Sequence, residues 1–555
     1  MKHLLFTCLG FFVVCLSTAQ ISRQLNTSDE ALSPSEQRFQ NLLTDSETKK
    51  LEYNLLNPAA IGLSSIDSLT TSYVNAGYAF GEMDGDFLIY EGNCFRDYQI
   101  SGFGKKQLPK VGTLYGQARY AQGKHENIVW NSVRHPELYL PYIATDSIGG
   151  DFDYKEYALR GGVAFDAGEW HLGVEVSFRG EQAYRETDPR SLNTTSWVSG
   201  KIGAGRYIGA HHIMIGVGAE RNKQHTTMRF WRAAEQQRFY VTYGFGQYDK
   251  NRSLVLFGYS RMYYINNKDV NLTYQSPKDK ALSVYLRMAY QYSKMETEEA
   301  DKHHLHNYHS HIIQPTVELK YVANKRWHNA LMINSYNSFK KGTENVLQRY
   351  MVDPITRLYD YRKIDEQQNY RLDIVRNTAF LKSTLIFNGS QLSLFGGAKY
   401  DYRKESYKVD QYVVHNSSLT PYVGLEYVLD NDKHELFVNV AISKKNNLDA
   451  EYDVILPNKD SEGRKVDNLD FQHAFTPYAY HNSSYRSFRI NATYMKQFKH
   501  FGLGTNLQLM HTKGRRAADA IYDKTPDLVS PTSIISTGPD VHNEQWGSIS
   551  LFVVL

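Results

Sequence analysis

Five histidines fall within nine residues: His303, His304, His306, His309 and His311, around Asn307 and Tyr308. Neutral imidazole is the commonest protein ligand for zinc, copper and nickel. On an extended hairpin tip, His304 and His306 share one face and His309 and His311 share the other. This spacing raises metal or haem capture by the loop as an expectation, and no other cofactor is expected. The plainer reading is a solvated, His-rich loop beside Glu298, Glu299 and Asp301.

A second set of candidates is charged. By the period-two parity of their segments, Glu175, Arg179, Lys201, Glu220, Arg287, Glu318, Lys320, Lys399, Asp401 and Arg403 fall on the inward, polar face, where they would line the lumen of a barrel. Both signs are present, which argues against a strongly ion-selective pore lined by rings of one charge. Pairing among themselves inside a barrel is the ordinary role for such residues.

No catalytic constellation stands out. Gly258-Tyr259-Ser260-Arg261-Met262 lacks the second glycine of a nucleophile elbow, and neither His-Glu-x-x-His nor Gly-x-x-x-x-Gly-Lys occurs. The expectation is a protein that is not an enzyme. Tyr243-Gly244-Phe245-Gly246 resembles a stacking platform, but Lys+Arg 63 against Asp+Glu 59 leaves no basic surplus, so no nucleic-acid partner is expected.

The elements that position these residues are strands. In Trp170–Arg179, Trp170, Leu172, Val174, Val176 and Phe178 oppose His171, Gly173, Glu175, Ser177 and Arg179. The same period of two recurs near 213–220, 282–291, 391–403 and 436–443. Many such runs reach ten residues, longer than usual in soluble sheets. The 42 tyrosines and other aromatics gather at strand ends, where amphipathic rings suit a membrane–water boundary. Mean hydropathy is −0.52, and no stretch beyond the N-terminus offers 18 apolar residues, so helical spans are excluded.

Connections alternate between short (166–169, 207–211, 323–326, 388–390, 430–433) and long (124–153, 180–194, 222–252, 341–369, 447–483, 513–545). Bacterial transmembrane barrels have short periplasmic turns and long outer loops. If 253–275 is one bent strand, the chain reads as an all-β, antiparallel up-and-down transmembrane barrel of about 18 strands, within a range of 16 to 20. Residues 1–19 read as a secretory signal cut near Ala19, residues 20–68 as a periplasmic arm or a lumen plug, and 69–555 as the barrel. Without that signal Cys94 is the only thiol, so no intrachain disulfide is expected. Ile549, Leu551, Val553 and Leu555 alternate to the last residue, like the strand read by the outer-membrane assembly machinery, although that signal usually ends on an aromatic.

Four segments carry a resemblance. Trp130-Asn131-Ser132-Val133, Pro141-Tyr142-Ile143-Ala144-Thr145-Asp146-Ser147-Ile148-Gly149-Gly150, Asp188-Pro189-Arg190 and Gly342-Thr343-Glu344-Asn345 are similar to an uncharacterised outer-membrane β-barrel family of the Bacteroidota. The resemblance implies a barrel in the outer membrane of a Gram-negative bacterium and transfers no functional residue. Two roles follow as expectations. One is a pore or transport component for small solutes. The other is a non-transporting surface scaffold, or an accessory to a nutrient-uptake receptor or surface lipoprotein. Outer-membrane lipid and the assembly machinery are the other expected partners.

Overall fold

The computed structural model describes residues 57–62, 72–108, 111–231, 239–245, 247–249, 259–277, 280–299, 303–353, 355, 358–409, 411–431, 433–453, 471–515 and 541–554. The signal region, Ala19, most of the 20–68 segment, Asp301 and Leu555 lie outside them.

Eighteen antiparallel strands form one closed ring. In chain order they are β1 (Tyr73–Asp84), β2 (Cys94–Leu108), β3 (Gly112–Ile128), β5 (Gly150–Ala167), β6 (Trp170–Tyr184), β7 (Arg190–Ile208), β8 (His211–Arg229) and β11 (Tyr259–Gln275). They continue with β12 (Leu282–Glu299), β13 (His306–Asn324), β14 (Trp327–Asp353), β15 (Leu358–Phe387), β16 (Ser390–Tyr407) and β17 (Tyr412–Asp430). The last four are β18 (His434–Asp453), β19 (Ser484–Gln497), β20 (Gly502–Arg515) and β21 (Val541–Val554). Each pairs with its sequence neighbour in the ring, and β21 closes onto β1 from Tyr73↔Val554 to Asp84↔Asn543. Three short strands, β4 (Ala144–Thr145), β9 (Tyr240–Gly244) and β10 (Gln247–Asp249), form a separate small sheet.

The period of two decides which face looks where. On β6, Val174, Val176 and Phe178 are 43%, 59% and 45% exposed, while Gly173, Glu175 and Arg179 between them are buried. An exposed stripe of Val, Ile, Leu and Phe on strand after strand is stable only against hydrocarbon, and ring closure leaves no unpaired edge within it. Trp170, Tyr207, Tyr321, Trp327, Phe387 and Phe498 are exposed beside the short turns and form an aromatic girdle there. Among the described residues no helix is long and apolar enough to cross a membrane.

A barrel of this strand number otherwise leaves an aqueous channel. Here segments from both ends enter it. At the short-turn end, the one-turn helix Pro58–Gly62 packs on the inner faces of β5, β6, β7 and β8. It fits because Ala164, Gly173, Gly203 and Gly216 lie side by side in register. A Cβ on Gly203 would come within 1.9 Å of the Asn57 carboxamide oxygen, and one on Gly173 within 2.4 Å of the Ala59 nitrogen. At the long-loop end, β14 and β15 run on past the ring as a hairpin whose residues 359–368 are exposed on both faces where described, so this loop stands clear. The loop after β3 and the helix Phe471–Asn482, where Tyr478, Ala479 and Tyr480 are buried, turn inward.

Candidate functional site

The loop 129–149 crosses the lumen. It leaves β3 and returns on β5 at Ile128↔Gly150, so its ends meet on one wall. Near its start, Trp130 packs against Tyr240 and Tyr248 at 5.6 and 5.3 Å. Its middle forms the short helix Pro136–Tyr139. From there it reaches successive strands. The Tyr139 hydroxyl donates to Asn222 of β8 at 2.9 Å. Tyr263 of β11 accepts from the Ala144 N–H at 2.8 Å. The Tyr308 hydroxyl of β13 donates to the Leu138 carbonyl at 2.6 Å. Tyr142 stacks on His306, with centroids 4.6 Å apart, and meets the edge of Tyr370 on β15. A Cβ on Gly342 would lie 2.5 Å from the Tyr142 hydroxyl, so the missing side chain of β14 makes the socket for this ring. The 239–245 segment backs the loop: Ala144 and Thr145 pair with Val241 and Tyr240, and Thr242 donates to the Pro141 carbonyl at 2.5 Å. Val133, Leu138, Tyr142, Ile143 and Ala144 thereby share one buried cluster with Trp197, Tyr263, Tyr308 and Tyr370 of the wall.

Charge holds the loop as well. Asp146 accepts from Ser132 at 2.6 Å and pairs with Arg185, and both members of the pair are at most 2% exposed. Arg185 also donates to the Pro189 carbonyl at 2.6 Å. Arg134 and His135 both reach Glu181 of β6 at 2.6 Å. Burial alone would depress the His135 imidazolium, but the Glu181 carboxylate overcomes it and the pKa is raised. The four segments that carry the sequence resemblance therefore meet in space. Trp130–Val133 and Pro141–Gly150 are the loop, Pro189 caps its arginine, and Gly342 seats its tyrosine.

The lumen wall is not uniform in charge. All ten charged residues singled out in sequence lie on the face opposite the exposed apolar stripe. Across β3 to β8 the charges balance and interlock. Arg160 pairs with Glu175 at 2.5 Å, Arg119 with Glu156 at 2.6 Å, and Arg179 with Glu156 at 2.8 Å and Glu181 at 3.3 Å. Glu220 accepts from Asn267 at 3.0 Å, with Lys201 on the neighbouring strand. Across β11 to β13, Arg261 meets Glu299 at 3.2 Å and Lys320 meets Glu318 at 3.8 Å, while Arg287 is buried on β12.

The wall from β14 to β19 is basic. It presents Lys340, Arg376, Lys382, Lys399, Arg403, Lys445 and Arg489 against Glu344, Asp401, Glu405 and Glu426, with Glu344 accepting from the Tyr407 hydroxyl at 2.9 Å. Asp401 is shared between Lys399 at 3.1 Å and Arg376 at 3.5 Å; Glu405 pairs with Arg403 at 3.0 Å and Glu426 with Lys382 at 2.6 Å. Lys340 sits over the Tyr308 ring at 4.3 Å, and Lys445 donates to the His481 carbonyl. Between this wall, the tip of the loop and the helix Phe471–Asn482 lies about 1160 Å³ of open space, lined by Lys340, Arg376 and Arg403, by Glu137 and Glu405, and by Tyr370 among others. A second space of about 750 Å³ shares Arg376, Arg403 and His481 with the first and adds Lys399, Asp401 and Lys445.

The histidine cluster is divided. His306 is buried inside, where its Nδ1 accepts from Arg261 at 2.9 Å. His304 Nδ1 donates to the Thr297 carbonyl at 3.0 Å. His309 and His311 take the alternate, outward face of β13, with His311 beside Tyr290 and Tyr292. Among the described residues no group of three or more His, Cys, Asp or Glu is placed to hold a metal ion. Sequence reasoning did not single out Arg185, Asp146, His135, Glu181, Lys340, Arg376, Lys445 or Arg489. The first four act through contacts with the inward loop, and the last four show their meaning only when strands are laid side by side.

Fold and lumen define a transmembrane β-barrel with an inward-folded loop. The chain belongs to a family described as a family of unknown function (DUF6850), whose profile matches residues 58–531. No curated protein matches it in sequence. Among solved structures it is similar to the siderophore receptor PirA from Pseudomonas aeruginosa (8% identity, 87% of this chain and 80% of that one, TM-score 0.33). It is also similar to the copper transporter OprC (8%, 87% and 80%, 0.35) and to the FrpB iron transporter from Neisseria meningitidis (9%, 87% and 82%, 0.35).

Proposed function

We propose that the protein is an outer-membrane route for small polar solutes, held shut by its 129–149 loop and opened when that loop leaves its seat. The observation that carries this reading is the nature of the obstruction. The ring is wide enough for a channel, and a single loop whose two ends meet at Ile128 and Gly150 spans it. No covalent bond fixes that loop among the described residues; Cys94 is a free thiol. Its latch is made of hydrogen bonds and ion pairs to the wall, which an incoming ligand or a partner can exchange for its own. The protein would reach the outer membrane of a Gram-negative bacterium after signal cleavage near Ala19 and insert through the assembly machinery. An uptake receptor or surface lipoprotein would be the natural partner to trigger release.

Liposome swelling tests this. Residues 130–148 are replaced by a short Gly/Ser turn, which the adjacency of Ile128 and Gly150 permits. The variant should admit small sugars at a rate well above wild type. If both are equally tight while both show the heat-modifiable gel migration of a folded barrel, the passage reading fails and a non-transporting surface scaffold takes its place.

A further inference from the structure

The segregation of charge in the lumen points to a kind of cargo. We infer that the β14–β19 wall is a binding track for a small organic anion, a ring-bearing carboxylate or phosphate, which is held first in the space beneath the loop. The inference rests on the passage proposed above and deepens it.

Three observations converge. The first is the imbalance itself. Across β3 to β8 cations and carboxylates balance; on this wall the cations outnumber the carboxylates, and Lys340, Arg376, Lys399, Arg403 and Lys445 line the two adjoining spaces the loop leaves. A cleft with a surplus of one sign and low-dielectric walls concentrates the opposite ion, and here the cations outnumber Glu137, Glu405 and Asp401 of the lining.

The second is the chemistry of the lining. Arg376 and Arg403 carry planar guanidinium forks suited to carboxylate or phosphate oxygens. Tyr336, Tyr370 and Tyr478 supply ring faces in the same space. Cation and ring together select a solute with an anionic group on an apolar or sugar-like body.

The third is Arg489. It lies on β19 opposite Ala441, four residues past Tyr485 toward the short turns, about 13 Å by strand rise. It is 4% exposed, it has no ion pair, and its Nε and Nη1 meet no hydrogen-bond partner among the described residues. A buried guanidinium with open donors is costly unless an anion visits it. Its place below the open space makes it the next station along the wall.

The test is equilibrium binding to the full-length barrel in detergent, by titration calorimetry, with glucuronate, glucose 6-phosphate and glucose as probes. The two anions should bind saturably and glucose at least tenfold more weakly; the better of the two anions says whether carboxylate or phosphate is preferred. Arg403→Gln and Arg489→Gln should each weaken anion binding at least tenfold, with Lys363→Gln on the exposed outer hairpin as the control that does not. Heat-modifiable migration shows that each variant is folded. Glucose binding as tightly as the anions, no saturable binding of either anion to folded wild type, or Arg403→Gln and Arg489→Gln variants that bind like wild type would each overturn the inference. Because binding is read without transport, a barrel that binds anions but never swells liposomes rejects the passage and keeps the site, and the reverse pattern does the opposite.

Discussion

Two buried side-chain pairs, Asp146 with Arg185 and His135 with Glu181, tie the 129–149 loop to the wall. Asp146 and Arg185 are both removed from water, so breaking their pair strands a buried charge at a cost of about 3–5 kcal/mol. Arg185→Ala should therefore free the loop while leaving the ring of strands intact. Limited proteolysis should cut within 130–148 in the variant and not in wild type, at unchanged heat-modifiable migration; equal resistance would contradict this. His135 adds a pH dependence. Glu181 and Glu137 face it as carboxylates, and Arg134 and Arg179 as cations, with the net effect of raising its pKa above the ordinary 6.5. A raised pKa means the contribution is complete below the unfolded value and is lost as pH rises through the folded one. Hydrogen-exchange protection of 130–148, corrected for intrinsic rate, should be higher at about pH 6 than at about pH 8.5. Protection that is flat, or that rises with pH, would show that His135 does not latch the loop.

At the scale of strands and loops, the local signals in the sequence succeed and the long-range ones do not. Alternation is a property of adjacent residues, so the faces of Glu175, Arg287 or Asp401 are legible without knowing any neighbour strand. The same rule splits the histidines, with His306 inside and His309 and His311 outside. The inward fold of 129–149 is not legible in that way. Its key contacts join residues as far apart as Leu138 and Tyr308, and in sequence the segment looks like any other outer loop. The segregation of charge is hidden for the same reason, since Lys340, Arg403 and Arg489 become one wall only through strand pairing. Two predictions belong here. Gly203→Val should push Asn57–Ala60 off the wall, read as loss of exchange protection at Ala59 and Ala60 with the barrel still folded; unchanged protection would mean the glycine row is not their seat. Val176→Arg places a charge in the lipid-facing stripe and should destabilise the barrel by about 2–4 kcal/mol in a denaturant titration from vesicles. A cost near zero would place that stripe in water.

On the proposed reading, the molecule as a whole combines a closed wall with a removable obstruction. Eighteen strands closed through β1 and β21 leave no edge to fray. The exposed hairpin of β14 and β15 stands outside the ring on the side of the basic wall, next to the space beneath the loop. Lys340, Arg376 and Arg403 lie just below Gly342, where Tyr142 of the loop is seated, so the basic wall and the loop's seat are neighbours in space. The central claim is that the shut state is a conformation of one loop and not a property of the barrel. Single-channel recording in planar bilayers measures it most directly, comparing wild type with Arg185→Ala at equal reconstitution. Wild type should be silent or open only in brief events, and the variant should show long, stable openings. Two traces that cannot be told apart, from barrels that are both folded, would contradict the account.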